Sequence, residues 1–263
     1  MPDSKIYFIA DAHLGAGDDS RQRERELCAL LDKARKDATA VIFLGDMFDF
    51  WFTYRYVVPK GHVRLIGKMA ELADAGVQLH YFIGNHDMWL FRYFEEQMDI
   101  TMYEEPAMLE FEGKKFYIGH GDGLGDQDRR YNFIRKVFRC RVNQRMFAIL
   151  PEWMTFGIAY KWSGSSRKSH LKKDPTIFQY QGDDKEGIVI HCRQMLDREP
   201  FDYCVFGHRH TALGRVITSP GGRTATYVNV GDWLANRDYA VYQGGTLTLA
   251  SWKESEAPAA RCR

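Results

Sequence analysis

The sequence predicts a layered α/β protein, on three observations. Apolar runs of five or six residues, rich in β-formers, recur along the chain and are continuous enough for strands buried on both faces. Stretches with apolar residues at helical spacing lie between several of them. The runs stop at a small residue followed closely by Asp, Asn or His, so polar groups collect at strand carboxyl ends, where α/β sheets place function.

The elements follow in order. KIYFIA leads to Asp11 and His13. Residues 20–36 carry Leu27, Leu30, Leu31 and Ala34 on one helical face, with Ser20 as the expected N-cap. AVIFLG leads to Asp46, residues 62–75 read as a second helix, and LHYFIG leads to Asn85, His86 and Asp87. KFYIG leads to His120. Residues 183–198 read as a helix, DYCVFG leads to His208 and His210, and ATYVNVG to Asp232. Strands near 213–218, 224–230, 238–243 and 246–251 follow without helices between them, and Gly221-Gly222 and Gly244-Gly245 mark tight hairpins. The last dozen residues read as a frayed tail.

Residues 123–175 break the pattern. Within 129–173 stand twelve Lys or Arg and a single acid, Glu152, interleaved with Tyr131, Phe133, Phe138, Phe147, Trp153, Phe156, Tyr160 and Trp162. This reads as two or three amphipathic helices inserted between strands, a cap on a single unit spanning residues 1–263.

Composition sets the limits. The 263 residues are 45% hydrophobic and 27% charged, as in an ordered globular chain. The net charge of +1 gives no reason to expect a nucleic-acid partner, and nothing marks an obligate protein partner. Five scattered cysteines read as reduced thiols of a cytosolic protein. The first apolar run is too short for a signal peptide, and no stretch approaches the ~20 apolar residues of a membrane span.

A single Asp after a strand is more often a helix cap, and a single buried His more often a core residue. Five fragments in one order, D-x-H, G-D, G-N-H-D, G-H and G-H-x-H, each at a strand end, are not explained that way. Carboxylate and imidazole are the donors that hard and borderline divalent cations take.

The ordered set D-x-H, G-D-x-x-D, G-N-H-D, G-H, G-H-x-H, spanning residues 11 to 210, resembles the calcineurin-like metallophosphoesterases. The resemblance implies a four-layer α/β/β/α sandwich with two divalent ions at one edge, Mn²⁺ being the usual metal of bacterial members. It implies that Asp11, His13 and His210 hold one ion, that Asn85, His120 and His208 hold the other, and that Asp46 bridges them. Strand alternation puts residues i and i+2 on one side, which permits His208 and His210 to face one edge. Two ions ~3.5–4 Å apart supply a nucleophile from water and offset phosphoryl charge. His86 is the candidate to steady the phosphate or protonate the leaving oxygen, with Asp87 orienting it.

GDMFDFWF, GHGDGLGDQDRRYNFIR and the basic aromatic stretch after them look like the UDP-2,3-diacylglucosamine hydrolases, which cleave a nucleotide-lipid pyrophosphate to UMP and a lipid monophosphate. That resemblance puts Asp128 and Tyr131 on a D-x-x-Y pattern and Ser166, His170 and Lys173 on a substrate-contacting cap pattern, with Asn85 and His86 also at the substrate. His170 stands where the family has Asn, and His86 where its best-known branch has Arg. The expected setting is cytoplasmic, peripheral on the cytoplasmic face of the inner membrane, with a nucleotide-linked glycolipid as substrate. Aromatic side chains of the cap either sheathe acyl chains or pack the cap down.

Three other readings stay open on sequence: another phosphodiesterase or phosphatase acting on a nucleotide, a nuclease using the basic aromatic patch on single strands, and a non-catalytic scaffold on the same fold. The cap assignment predicts that Lys173→Ala raises KM for the lipid substrate about fivefold, from the loss of one basic contact, with kcat little changed. Steady-state kinetics check it.

Overall fold

A computed structural model describes residues 5–125, 129–159 and 180–255. The chain runs β1 (Lys5–Ile9), α1 (Ser20–Asp37), β2 (Ala40–Phe43), α2 (Val63–Asp74), β3 (Gln78–Phe82), α3 (Tyr93–Met98), β4 (Thr101–Tyr103), β5 (Ala107–Phe111) and β6 (Lys114–Gly119). Then come α4 (Arg129–Arg139), α5 (Arg141–Ile149), helical residues 152–159 (α6) and α7 (Gly187–Arg198). The end is β7 (Tyr203–Phe206), β8 (Ala212–Thr218), β9 (Thr224–Val230), β10 (Asp238–Gln243), β11 (Thr246–Ser251) and α8 (Trp252–Ser255).

The strands form two sheets, ordered β11-β10-β1-β2-β3-β4 and β5-β6-β7-β9-β8. β1, β2 and β3 pair in parallel because α1 and α2 carry the chain back between them. Phe43 stands opposite Ile9 on one side and Tyr81 on the other, so the carboxyl ends are level. In the second sheet β6, β7 and β9 are parallel, and Gly119 pairs with Phe206 at the same edge.

Alternation along β1 shows how the layers arise. Ile6 and Phe8 point inward to Phe116, Ile118, Val205, Val228 and Tyr242 of the other sheet and its neighbours. Tyr7 and Ile9 point outward to Leu27, Leu30 and Leu31 of α1 and to Leu65, Met69 and Leu72 of α2. The outer face of the second sheet, with Tyr117, Cys204, Phe206 and Tyr227, is covered by Ile188, Val189, Cys192 and Leu196 of α7. The order is helix, sheet, sheet, helix, the expected four layers. The inner seam is aromatic: the Phe116 ring lies 4.8 Å from Tyr203 and 5.0 Å from Tyr242.

Three expectations need correction. Ser20 does not cap α1: the N-cap residue is Asp19, and the Ser20 hydroxyl instead accepts from the Gly15 N–H at 2.7 Å. The helix expected from 183 starts at Gly187, because Gly182 first takes a turn bonded by the Lys185 and Glu186 N–H groups. The sequence reading also passes over α3 and over β4 and β5, each an edge strand of its sheet.

Helices α4, α5 and α6 occupy the described part of the interval 123–175. Phe138, Phe147 and Phe156 pack on Phe50, Phe52 and Trp89, from the loops after β2 and β3. Trp89 Nε1 donates to the Phe138 carbonyl at 2.9 Å, and the Tyr54 and Thr155 hydroxyls bond each other. These three phenylalanines therefore hold the helices down, whereas Phe133 and Trp153 are exposed. Tyr160 and Trp162 lie outside the described residues.

Phe116→Ala empties the seam between the sheets and is expected to cost about 3–5 kcal/mol. Chemical denaturation, read as a lowered midpoint, measures it.

Candidate metal centre

Every fragment singled out in the sequence sits where a strand gives way to a turn, at one edge of the sandwich. Asp11 and His13 follow β1, Asp46 follows β2, Asn85, His86 and Asp87 follow β3, His120 follows β6, and His208 and His210 follow β7. Strand alternation is not what brings the last two to the edge, as the sequence suggests. β7 ends at Phe206, and both histidines lie beyond it in left-handed backbone, with φ of 67° and 52°. Asp11, His13 and Asp46 share that conformation, at 53°, 42° and 53°. Among the described residues ten non-glycines have positive φ, and these five are half of them, as happens where function holds the backbone in a disfavoured region.

Two glycines permit the convergence. A Cβ on Gly84 would lie 2.2 Å from Asp46 Oδ1 and 2.6 Å from the Asp46 amide nitrogen. A Cβ on Gly207 would lie 2.7 Å from Asp11 Oδ2.

The side chains meet in three overlapping groups whose ligand atoms lie within 4.8 Å of one another: Asp11, His13 and His210; His13, Asp46 and His86; Asp46, His120 and His208. In the first, Asp11 Oδ1 is 3.4 Å from His210 Nε2 and 3.8 Å from His13 Nε2. In the last, His120 Nε2 is 3.2 Å from Asn85 Oδ1 and 3.3 Å from both His208 Nδ1 and Asp46 Oδ2. Asp46 Oδ2 also lies 3.9 Å from His13 Nε2, so this carboxylate stands between the two clusters.

The calcineurin-like phosphoesterase family model matches residues 4–212. The chain belongs to the calcineurin-like phosphoesterase family. It is a metal-dependent phosphoester hydrolase, and its ligand set implies divalent ions. The chain is 37% identical over 265 residues to a UDP-2,3-diacylglucosamine hydrolase of Porphyromonas gingivalis, covering 96% of this chain and 99% of that protein. It is 26% identical to proteins of the same name from Aeromonas salmonicida, over 92% of this chain and 91% of that one, and from Ralstonia nicotianae, over 93% and 88%.

The residues of this phosphoesterase fit cations physically. Among the described residues Asp11 Oδ1 and both ring nitrogens of His13 are buried with no hydrogen-bond partner, which a protein rarely leaves so without a ligand to receive them. The His120 Nδ1–H donates to the Leu44 carbonyl at 2.7 Å, which turns Nε2 toward the cluster, the arrangement usual for a metal-bound histidine. Burial raises the Asp11 carboxyl well above the usual range despite His120, with Asp46 adding to the rise. Burial would raise Asp46 too, but His120, His86 and His13 hold it well below. Burial would lower His120, and Asp46 outweighs it and raises it well above an ordinary imidazole. Burial lowers His13 and His210, and His208 to about 4. Burial thus favours the neutral imidazole, the form that binds metal, at His13, His208 and His210 but not at His120.

His86 is oriented by Asp49 rather than by Asp87, a correction to the sequence reading. Its Nδ1–H donates to the Asp49 carbonyl at 3.0 Å and faces Asp49 Oδ1 at 3.7 Å. Asp87 is fully buried and accepts from the Gly84 N–H at 2.8 Å, the Met47 N–H at 3.0 Å and the Tyr81 hydroxyl. Burial and the Asp46 charge push its carboxyl up to about 6. It fastens the turns after β2 and β3 together. Asp49 also faces His13 Nδ1 at 3.6 Å. The G-D-x-x-D spacing was the available signal for it.

Two other supports carry no sequence signal. Buried Arg23 of α1 donates to the carbonyls of Ala12, His13 and Ala16, holding the turn that carries Asp11 and His13. Arg209 forms a two-pronged pair with Glu186 at 2.9 and 3.0 Å, anchoring the turn between His208 and His210. Of the predicted substrate contacts, Tyr131 falls in α4, and Asp128, Ser166, His170 and Lys173 lie outside the described residues.

Gly84→Ala is expected to lower metal affinity by about 10–100-fold, the range for disturbed outer-shell partners, with the circular dichroism spectrum retained. Elemental analysis after dialysis against buffered metal measures it.

Proposed function

We propose that this phosphoesterase hydrolyses the pyrophosphate of UDP-2,3-diacylglucosamine to UMP and 2,3-diacylglucosamine 1-phosphate. The reaction class comes from the family. The observation that carries the substrate is the 37% identity over nearly the full length of both chains to a hydrolase of that name.

In this reading Asp11, His13 and His210 hold one ion, Asn85, His120 and His208 a second, and Asp46 both, with Mn²⁺ as the metal. When bound, the ions supply Lewis acidity that activates water and offsets phosphoryl charge. The remaining work falls to the chain. The oxygen of water joins the uridylyl phosphorus as the anhydride P–O bond breaks, and the sugar phosphate leaves with the bridging oxygen. His86, with Nδ1–H committed to the Asp49 carbonyl, presents Nε2 to a phosphoryl or leaving-group oxygen, and as the imidazolium it donates the Nε2 proton there and is left as the neutral Nδ1–H ring. His13 packs edge-on against the His86 ring at 4.6 Å and limits its rotation. Asp87 keeps the turn rigid. The chain acts as one unit over residues 1–263, with residues 123–175 as a cap whose Asp128, Tyr131, Ser166, His170 and Lys173 meet the substrate. The enzyme works at the cytoplasmic face of the inner membrane. No helix of the described residues is long and apolar enough to cross a membrane.

Mass spectrometry of products formed with Mn²⁺ in ¹⁸O-labelled water tests the reading. Label in UMP is expected; label in the lipid phosphate would move the attack to the other phosphorus, and no turnover of the glycolipid would overturn the substrate. Asp46→Ala is expected to lower turnover by more than about 10²-fold, the cost of one preorganised electrostatic group, with the circular dichroism spectrum unchanged.

A further inference from the structure

A cleft of about 510 Å³ opens between the N-terminal turn of α1 and the start of α2. None of the residues lining it belongs to the ligand groups. Arg21 and Arg25 of α1 and Arg64 of α2 line it, and among the described residues none of the three has an ion-pair partner. Other arginines of α1 are engaged: Arg23 pairs with Asp19, and Arg35 with Glu71 at 3.0 Å. Two acids also line the cleft. Buried Glu24 is occupied, since its Oε1 accepts the backbone N–H groups of Arg64 and Leu65 at 3.2 Å each and so caps α2. Asp18 is exposed. The cleft therefore carries an excess of fixed positive charge, in a fork geometry suited to phosphate.

Its rim is apolar. Val63 is 74% exposed, and Tyr56 and Val57, on the loop leading into α2, are 83% and 56% exposed. From Phe50 to Gly67 the chain carries Arg55, Lys60 and Arg64 and no Asp or Glu. A soluble phosphate would use the arginines alone and leave the exposed apolar side chains of this segment unused. A bilayer of anionic lipid uses both, with phosphates meeting cations and apolar side chains entering the headgroup boundary.

We propose that the cleft between α1 and α2 binds the phosphate of an anionic phospholipid headgroup, with Val63, Val57 and Tyr56 seated in the bilayer interface. This rests on the reading of a membrane glycolipid substrate only for its purpose. It gives the enzyme a docking point separate from α4, α5 and α6.

The test is sedimentation of the metal-loaded, full-length protein with vesicles of phosphatidylcholine, with and without phosphatidylglycerol. Binding to the anionic vesicles alone is expected. The R21Q/R25Q/R64Q variant should bind them about 100-fold more weakly, at the usual contribution per basic side chain near such a surface. Val63→Asp should also weaken binding, although every arginine remains. Metal content and turnover of a soluble chromogenic phosphodiester should be unchanged in both. Equal binding by the arginine variant overturns the proposal. So does loss of wild-type binding to inorganic phosphate at matched phosphate concentration, which would make this a site for soluble phosphate. A wild-type dimer that Val63→Asp converts to monomer would make the face a contact between copies of the chain, and also overturns it. The vesicles contain no glycolipid, so the outcome is separable from that of the labelling experiment.

Discussion

Two buried carboxylates set the terms for the rest of the molecule. Asp11 and Asp46 are 0% and 2% exposed, and one raised imidazole, His120, stands against both. Isolated charges in such a place are unstable by several kcal/mol each unless compensated. Each carboxylate also accepts a backbone N–H from a neighbouring turn: Asp11 from His208 at 2.8 Å and Asp46 from His86 at 2.7 Å. The first of these bonds crosses from one sheet to the other. The pair therefore ties the edge together while remaining short of positive charge, which is the condition that recruits cations.

Holding those groups in place requires an unfavourable backbone. Left-handed conformation disfavours a residue with a Cβ by roughly 1–2 kcal/mol, and it occurs at Asp11, His13, Asp46, His208 and His210. Such conformations persist only where the surroundings over-determine them. Here they do. Arg23 holds three carbonyls of one turn, Asn229 donates to the Gly207 carbonyl at 2.6 Å, and the Trp233 and Leu234 N–H groups donate to the carbonyls of Ala10 and Asp11 at 3.0 Å each. The residues after β9 thus brace the turn that carries Asp11 and His13.

The parallel strands were legible because burial on both faces writes them as unbroken apolar runs such as AVIF and YCVF. The polar edge was legible because each run stops at a small residue before its Asp, Asn or His. What failed to read was local. Thr101–Tyr103 is too short to carry a pattern, and Ala107–Phe111 is only half-buried at a sheet edge. Arg23 lies in a run of alternating charges, RQRERE, where nothing separates the one buried arginine from its solvated neighbours. Asp49 and Asp87 look equivalent on paper. Only the folded turns show that one faces the histidines and the other the backbone. The left-handed turns were invisible too, since their residues are Asp and His rather than Gly.

The position of the cluster on the seam has a mechanical consequence. Asp11, Asp46 and Asn85 hang from the first sheet, His120 and His208 from the second. A cation shared among them would be a rivet through both plates of the sandwich, not an ornament on one. Whatever binds there and not to the unfolded chain raises the unfolding free energy by mass action. A chelator would then act on this protein as a denaturant, loosening the interior from its rim inward.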